Sequence, residues 1–252
     1  MELWEALAIL VAGMGAGAIN AVVGSGTLFT FPVLLALGYP PVTATISNSI
    51  GLAPGSLSSA IGYRRELRGQ RRRVLRFGAM SLLGAVTGGT LLINLPSEVF
   101  ERVVPVLIGF ACVLIIAQPR IAAWARSRRA ATRPDGGPLL PIGVYSAGVY
   151  AGYFAAAQGI ILLSMLGTAL DESIQRINAL KNALAFVVNA TAALFYIVFA
   201  DPAWAAVGLI AGGSVLGGYA GASLGRRLRP GVLRAVVVVV GLVAVVQLVV
   251  QF

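Results

Sequence analysis

The chain has 252 residues, of which 58% are hydrophobic and 11% are charged, against about 25% charged in an average soluble domain. Histidine is absent, the lone Cys112 has no partner for a disulfide, and the formal net charge is +10. This composition excludes an ordinary soluble domain, a disulfide framework and a transition-metal site. The arginines sit in short stretches between apolar runs, which points to membrane loops rather than to nucleic acid.

Apolar segments fall at residues 3–37, 42–62, 74–94, 99–118, 139–170, 173–199, 203–225 and 230–251. A bilayer admits only helices or closed barrels, and the alternation of barrel strands is missing, so the fold class is an all-α polytopic membrane protein. No basic region precedes the first run, and no cleavable signal peptide is expected. Residues 3–37 and 139–170 are too long for one crossing. At about 1.5 Å per residue each would reach roughly 50 Å, against a hydrocarbon core of about 30 Å. Both have a break near the middle, at Gly24-Ser25-Gly26 and at Gln158-Gly159.

Charge sets the expected topology. Residues 63–76 hold Arg64, Arg65, Arg68, Arg71, Arg72, Arg73 and Arg76. Residues 119–138 hold Arg120, Arg126, Arg128, Arg129 and Arg133, and a third basic turn carries Arg226, Arg227 and Arg229. All three are cytoplasmic by the positive-inside rule, whereas the turns at residues 96–101 and at Asp201-Pro202 are acidic or nearly neutral and therefore external. Parity then requires 3–37 and 139–170 to begin and end on one side, as re-entrant or broken hairpins. The expectation is two hairpins, six full spans and both termini external, in a bacterial inner membrane.

The halves resemble each other. AGMGAGAINAVVG at 12–24 matches AGVYAGYFAAAQG at 147–159 in six of thirteen places. Asn48 corresponds to Asn182, Gly84 to Gly217, Gly88 to Gly221 and Leu95 to Leu228, at offsets of 133 to 135. Equivalent loops have opposite charge character, so the repeat is inverted: each unit is a broken hairpin plus three spans. The divisions expected are 1–118, a basic cytoplasmic linker at 119–138, and 139–252. Inverted repeats are an architecture of alternating-access transporters, with the site near the midplane at the repeat interface.

The stretches GAINAVVGSGTLFTFPVLLALG and ATISNSIGLAPGSLSSAIGYRREL resemble the sulfite exporter TauE/SafE family, of the toluene sulfonate uptake permease group. The likeness covers nearly the full length. It implies transport of small sulfur-containing anions, such as sulfite, sulfonate, sulfoacetate or thiosulfate.

An oxyanion in a membrane needs N–H donors, side-chain donors and positive charge. Helix N-termini supply unpaired N–H groups and partial positive charge. A helix beginning at Thr27 after Gly24, Ser25 and Gly26, with Ser25 as N-cap, is one candidate tip. A second follows Gln158-Gly159, with Gln158 as the side-chain donor. The two tips are expected to face each other. A packing kink is the plainer account of each break.

Asn48 and Asn182 occupy equivalent places, and Ser47 corresponds to Lys181. Lys181 lies roughly nine residues inside its helix, about 13 Å deep. A cation there is a functional candidate, with snorkelling as the alternative. Asn178, Asn182 and Asn189 recur at helical spacing and suggest a polar stripe. Asn20, one turn before the first break, is expected to face the same cavity, while Asn189 suits an interhelical hydrogen bond and Arg176 an interfacial position. The repeated glycines suit close helix packing.

All nine acidic residues lie near segment ends or in loops, so no carboxylate proton relay is visible. The anion either moves alone, driven by its gradient and the membrane potential, or is carried with an ion bound by backbone carbonyls. No cofactor or metal is expected, and no enzymatic activity. The partners expected are the sulfur-containing anion and the lipid bilayer, without nucleic acid; a homodimer stays open. A passive anion channel, or a permease for another small organic anion, is the alternative.

Overall fold

The computed structural model describes residues 1–127 and 136–224, with 235, 238–240 and 242 beyond them. Among these the chain is helical and contains no strand. The order is α1 (Leu3–Val22), α2 (Thr27–Ala36), α3 (Pro41–Gly62), α4 (Arg71–Asn94), α5 (Ser97–Ser127), α6 (Leu139–Tyr153), α7 (Gln158–Ala169), α8 (Ile174–Phe199) and α9 (Trp204–Leu224). The expected span at 230–251 and the turn at Arg226–Arg229 lie essentially outside the described residues.

Five of these helices are long and apolar enough to cross a membrane: α1, α4, α5 through Arg120, α8 and α9. The chain is a multi-pass membrane protein. The two long segments are each divided, as expected, into a longer and a shorter helix. The short members, α2 and α7, have 10 and 12 residues. At about 1.5 Å per residue neither crosses a hydrocarbon core alone.

Three boundaries differ from the sequence reading. The second break spans residues 154–157, so Gln158 and Gly159 open α7 rather than precede it. Arg71, Arg72, Arg73 and Arg76 belong to the start of α4, not to the preceding loop. Helix α5 runs through Pro119 to Ser127, into the stretch read as linker. Local chemistry marks other ends well: Pro41 starts α3, where its missing N–H costs nothing, and Ser173 caps α8 by accepting from the Arg176 N–H at 3.4 Å.

The centre of the molecule is α3 against α8. Helix α3 also packs on α9 and α1, and α8 on α4 and α7. Helix α3 buries Thr45, Ser47, Asn48, Ser49, Ser56 and Ser59, a polar load that lipid would not tolerate but a protein interior can satisfy. On either side lie two seams of close contact, α1 on α9 and α4 on α6. Both are glycine seams. A Cβ at Gly84 or Gly88 would strike the α6 backbone at Tyr145 or Val149, and one at Gly217 or Gly221 would strike α1 at Met14 or Ala18. The helices therefore touch backbone to backbone, the association mode expected where hydrophobicity cannot drive helices together.

At the end of the bundle carrying the arginine-rich turn, an ionic clip joins the two halves of the chain. Glu172 binds Arg73 and Arg176, each at 2.6 Å. Arg176 also donates to the Arg68 carbonyl at 3.1 Å, and Gln70 donates to the Arg176 carbonyl at 3.1 Å. Arg176, near the start of α8, thus ties that helix to the arginine-rich turn at the end of the bundle. Partial burial works to raise the Glu172 pKa, but the hydrogen bonds and charges of Arg176 and Arg73 outweigh it and hold the carboxyl below its ordinary value of 4.5.

Two outcomes are expected. Gly84→Val should cost about 2 kcal/mol or more through overpacking and lower the melting temperature in detergent. Gly109→Ala, where a Cβ meets nothing within 4 Å, should leave it unchanged. Glu172→Gln should also lower the melting temperature at neutral pH. Because the folded pKa is depressed, the clip contributes fully above pH 4.5, and that contribution is lost as pH falls through the lower folded value. The gap between Glu172→Gln and the parent should close in that acid window.

Candidate substrate site

The two helix breaks meet. The Gly159 N–H donates to the Gly24 carbonyl at 2.9 Å. A Cβ on either glycine would overlap the other's Cα. Gly24 has φ +87°, a left-handed conformation that glycine takes without penalty. The second break achieves its turn with Ala155 and Ala157 at φ 63° and 57°. Each costs about 1–2 kcal/mol in that region, and the surrounding packing must sustain it. Phe154, fully buried in this break, stacks edge-on against Phe31 of α2 at 5.3 Å. One aromatic pair thus locks the second break onto the first.

Each break places a helix N-terminus beside this contact. Helix α2 closes its first hydrogen bond from Leu28 to the Ser25 carbonyl at 3.2 Å, and α7 from Ile160 to the Ala157 carbonyl at 3.0 Å. The N–H groups of Ser25, Gly26, Thr27 and Gln158 come before those bonds. Ser25 is not an N-cap through its side chain, as the sequence suggested. Gly26 occupies that position, and the Ser25 hydroxyl is buried without a partner. Gln158 Nε2 is likewise buried and unpartnered. Buried polar groups are nearly always paired. Thr45 Oγ1, Gln70 Oε1, Ser81 Oγ, Tyr150 OH and Asn178 Oδ1 are also buried without partners, but Ser25 Oγ and Gln158 Nε2 are the two that flank the Gly24–Gly159 contact.

Asn48 works differently. Its Nδ2 donates to Thr27 Oγ1 at 3.1 Å, and Thr30 Oγ1 donates to its Oδ1. Both ends of the amide are spent on holding the first turn of α2 against α3. Ser47 does not join the site. It accepts from the Ala203 N–H at 2.9 Å, at the start of α9.

Lys181 is the eighth residue of α8, seven steps beyond Ile174, about 10 Å along the axis rather than 13 Å. It is completely buried and does not snorkel. Its Nζ donates to the Asn20 carbonyl at 3.0 Å and to the Ala21 carbonyl at 3.4 Å. Asn178 and Asn182 also donate to the Ala21 carbonyl, each at 3.3 Å. Three side chains of α8 thus cover the C-terminal end of α1. Asn189 leaves this group and donates to Ser56 of α3 at 2.7 Å, the interhelical bond expected of it. Asn20 Nδ2 reaches the same Ser56 hydroxyl at 3.5 Å.

Ser25, Thr27, Asn48, Gln158, Lys181 and Asn182 are each less than 5% exposed, while Asn20 and Asn178 are partly exposed and form the accessible margin. The sequence reading missed Thr30 and Ser56. Spacing carries a signal for both: Thr30 lies one turn after Thr27, and Ser56 two turns after Asn48. The main-chain carbonyls of Asn20 and Ala21 have no sequence signal at all.

A model of the sulfite exporter TauE/SafE family matches residues 9–248. The chain belongs to that family. Among curated proteins it is similar to the "Probable membrane transporter protein YfcA" of Escherichia coli K12, with 27% identity over 216 residues covering 85% of this chain and 77% of the relative. It is also similar to a "Probable membrane transporter protein" of Haemophilus influenzae, with 24% identity over 246 residues covering 97% and 95%. A third relative, the "Probable membrane transporter protein ORF9" of a Sinorhizobium species, is 26% identical over 219 residues. No solved structure matches the chain. The chain is a TauE/SafE-family membrane transporter.

The meeting of the breaks can be tested directly. Gly159→Ala should force the breaks apart, lowering both the melting temperature and the transport rate. Ala157→Gly, which relieves about 1–2 kcal/mol of left-handed strain against about 0.5–1 kcal/mol of added chain freedom, should leave the melting temperature equal or slightly higher.

Proposed function

We propose that the chain is a secondary transporter of small sulfur-containing anions, of the sulfite, sulfonate, sulfoacetate or thiosulfate type, working by alternating access. The observation that carries this reading is the pair of unpartnered buried donors, Ser25 Oγ and Gln158 Nε2, at two helix N-termini that touch through Gly24 and Gly159. An oxyanion accepts hydrogen bonds without donating them. Two hydroxyl or amide donors, the leading N–H groups of α2 and α7 and two positive dipole ends form a field suited to it.

The alternating-access part rests on two features. Ser25, Gln158 and their neighbours are buried, with Asn20 and Asn178 at a partly exposed margin, which suits a site that opens as helices move. The packing also has a twofold pattern: α1 lies on α9 as α6 lies on α4, and α3 lies on α8. That pattern supports the inverted repeat, with units at 1–118 and 139–252 joined by 119–138. In this reading the basic turns are cytoplasmic, both termini are external and the membrane is the bacterial inner membrane.

Thermal shift of the detergent-purified protein tests the substrate class. The panel is sulfite, sulfate, thiosulfate, sulfoacetate, taurine and a carboxylate control. One sulfur anion should raise the melting temperature of the parent, and Ser25→Ala combined with Gln158→Leu should abolish the shift while leaving the unliganded protein equally stable or more so. A shift from the carboxylate alone would move the substrate to another anion class. Counterflow that fails to saturate in proteoliposomes would make the protein a channel.

A further inference from the structure

The first break has two poles, four residues apart. The N-terminus of α2 is positive, and the C-terminus of α1 is negative. An anion site needs the first pole and is harmed by the second. In carriers built from discontinuous helices, the exposed carbonyls of such a C-terminal pole hold a coupling sodium ion or proton. Here the pole is already occupied, by Lys181.

We infer that Lys181 is a built-in cation standing where a coupling ion would otherwise bind, and that the transporter therefore works without sodium. Its ammonium rests on main-chain carbonyls of Asn20 and Ala21. It has no carboxylate partner among the described residues; its contacts are with main-chain carbonyls. Lysine also caps the last carbonyls of surface helices, but this one is fully buried, and the neutral carbonyl oxygens it meets are the ligands that discontinuous helices offer a monovalent cation. The neighbouring amides strengthen the case, since Asn178 and Asn182 turn their Nδ2 groups to the same Ala21 oxygen. One carbonyl receiving three donors marks a place of high negative potential. With two of its three N–H donors committed to α1, the ammonium cancels the negative pole and leaves the α2 terminus unopposed.

The transport arm of this inference rests on the proposed carrier reading; the cation-binding arm does not. In proteoliposomes, sulfite or thiosulfate exchange by the parent protein should differ by less than about twofold between sodium, potassium and N-methylglucamine media. Lys181→Ala should lose about tenfold or more in N-methylglucamine, a barrier change of about 1.4 kcal/mol. Part of the loss should be recovered with sodium chloride or with n-propylammonium chloride, whose cation restores the methylenes and ammonium removed. N-methylglucamine is too large for that space.

The second arm needs no substrate. Sodium or propylammonium chloride, compared with equal N-methylglucamine chloride, should raise the melting temperature of Lys181→Ala by several degrees and leave the parent unmoved. A parent protein that requires sodium would overturn the inference. So would a Lys181→Ala protein fully active in N-methylglucamine, or one that neither cation restores or stabilises. In the last case the lysine serves the substrate directly. Should Lys181→Ala fail to accumulate, the sodium dependence of the parent still decides the point.

Discussion

The structure depends on one backbone contact in the middle of the molecule, the Gly159 N–H on the Gly24 carbonyl. It is possible only because neither residue has a side chain. It brings two chain breaks to one point, and everything chemical nearby follows. The α2 and α7 termini arrive beside each other, Ser25 and Gln158 flank them, and Phe154 of one break packs on Phe31 beyond the other. The cost is real, since lipid-depth backbone with open N–H groups is tolerated only inside protein. Asn48 of α3 holds the start of α2 in place, and the amides of α8 cover the open carbonyl of Ala21.

Polarity is sorted within this centre. Asn48 and the threonines of α2 form a closed set, every hydroxyl and amide oxygen turned inward on another. Lys181, Asn178 and Asn182 form a second set, spent on the end of α1. Ser25 Oγ and Gln158 Nε2 lie between them without partners, and Asn178 Oδ1 is a further unpartnered atom at the margin. A candidate site left between two such networks is preorganised, because most of its neighbours cannot rotate to fill it without breaking bonds of their own.

Much of this was legible in the chain. Glycine, serine and asparagine at membrane depth expose themselves by their cost, so the two breaks, the buried lysine and the glycine seams could be read from residue type and spacing. The misreadings have physical causes. Ser25 has the ideal identity for a cap, yet the turn through Gly24 points the cap position at Gly26. The second break was placed at Gln158-Gly159 because glycine normally marks a turn, whereas alanines at 155 and 157 make it under strain. Ser47 follows from the repeat as the partner of Lys181, but a short hydroxyl finds the nearest N–H, that of Ala203. The clip at Glu172 links residues 99 apart in sequence, and no local pattern announces it.

The glycine seams have a consequence for assembly. Each seam joins a helix from the first part of the sequence to one from the second: α1 with α9, and α4 with α6. A side chain cannot enter either seam without striking backbone, so the fit of each depends on helices made far apart in time along the chain. The chain is laced rather than folded in half, and neither part covers its own glycine faces.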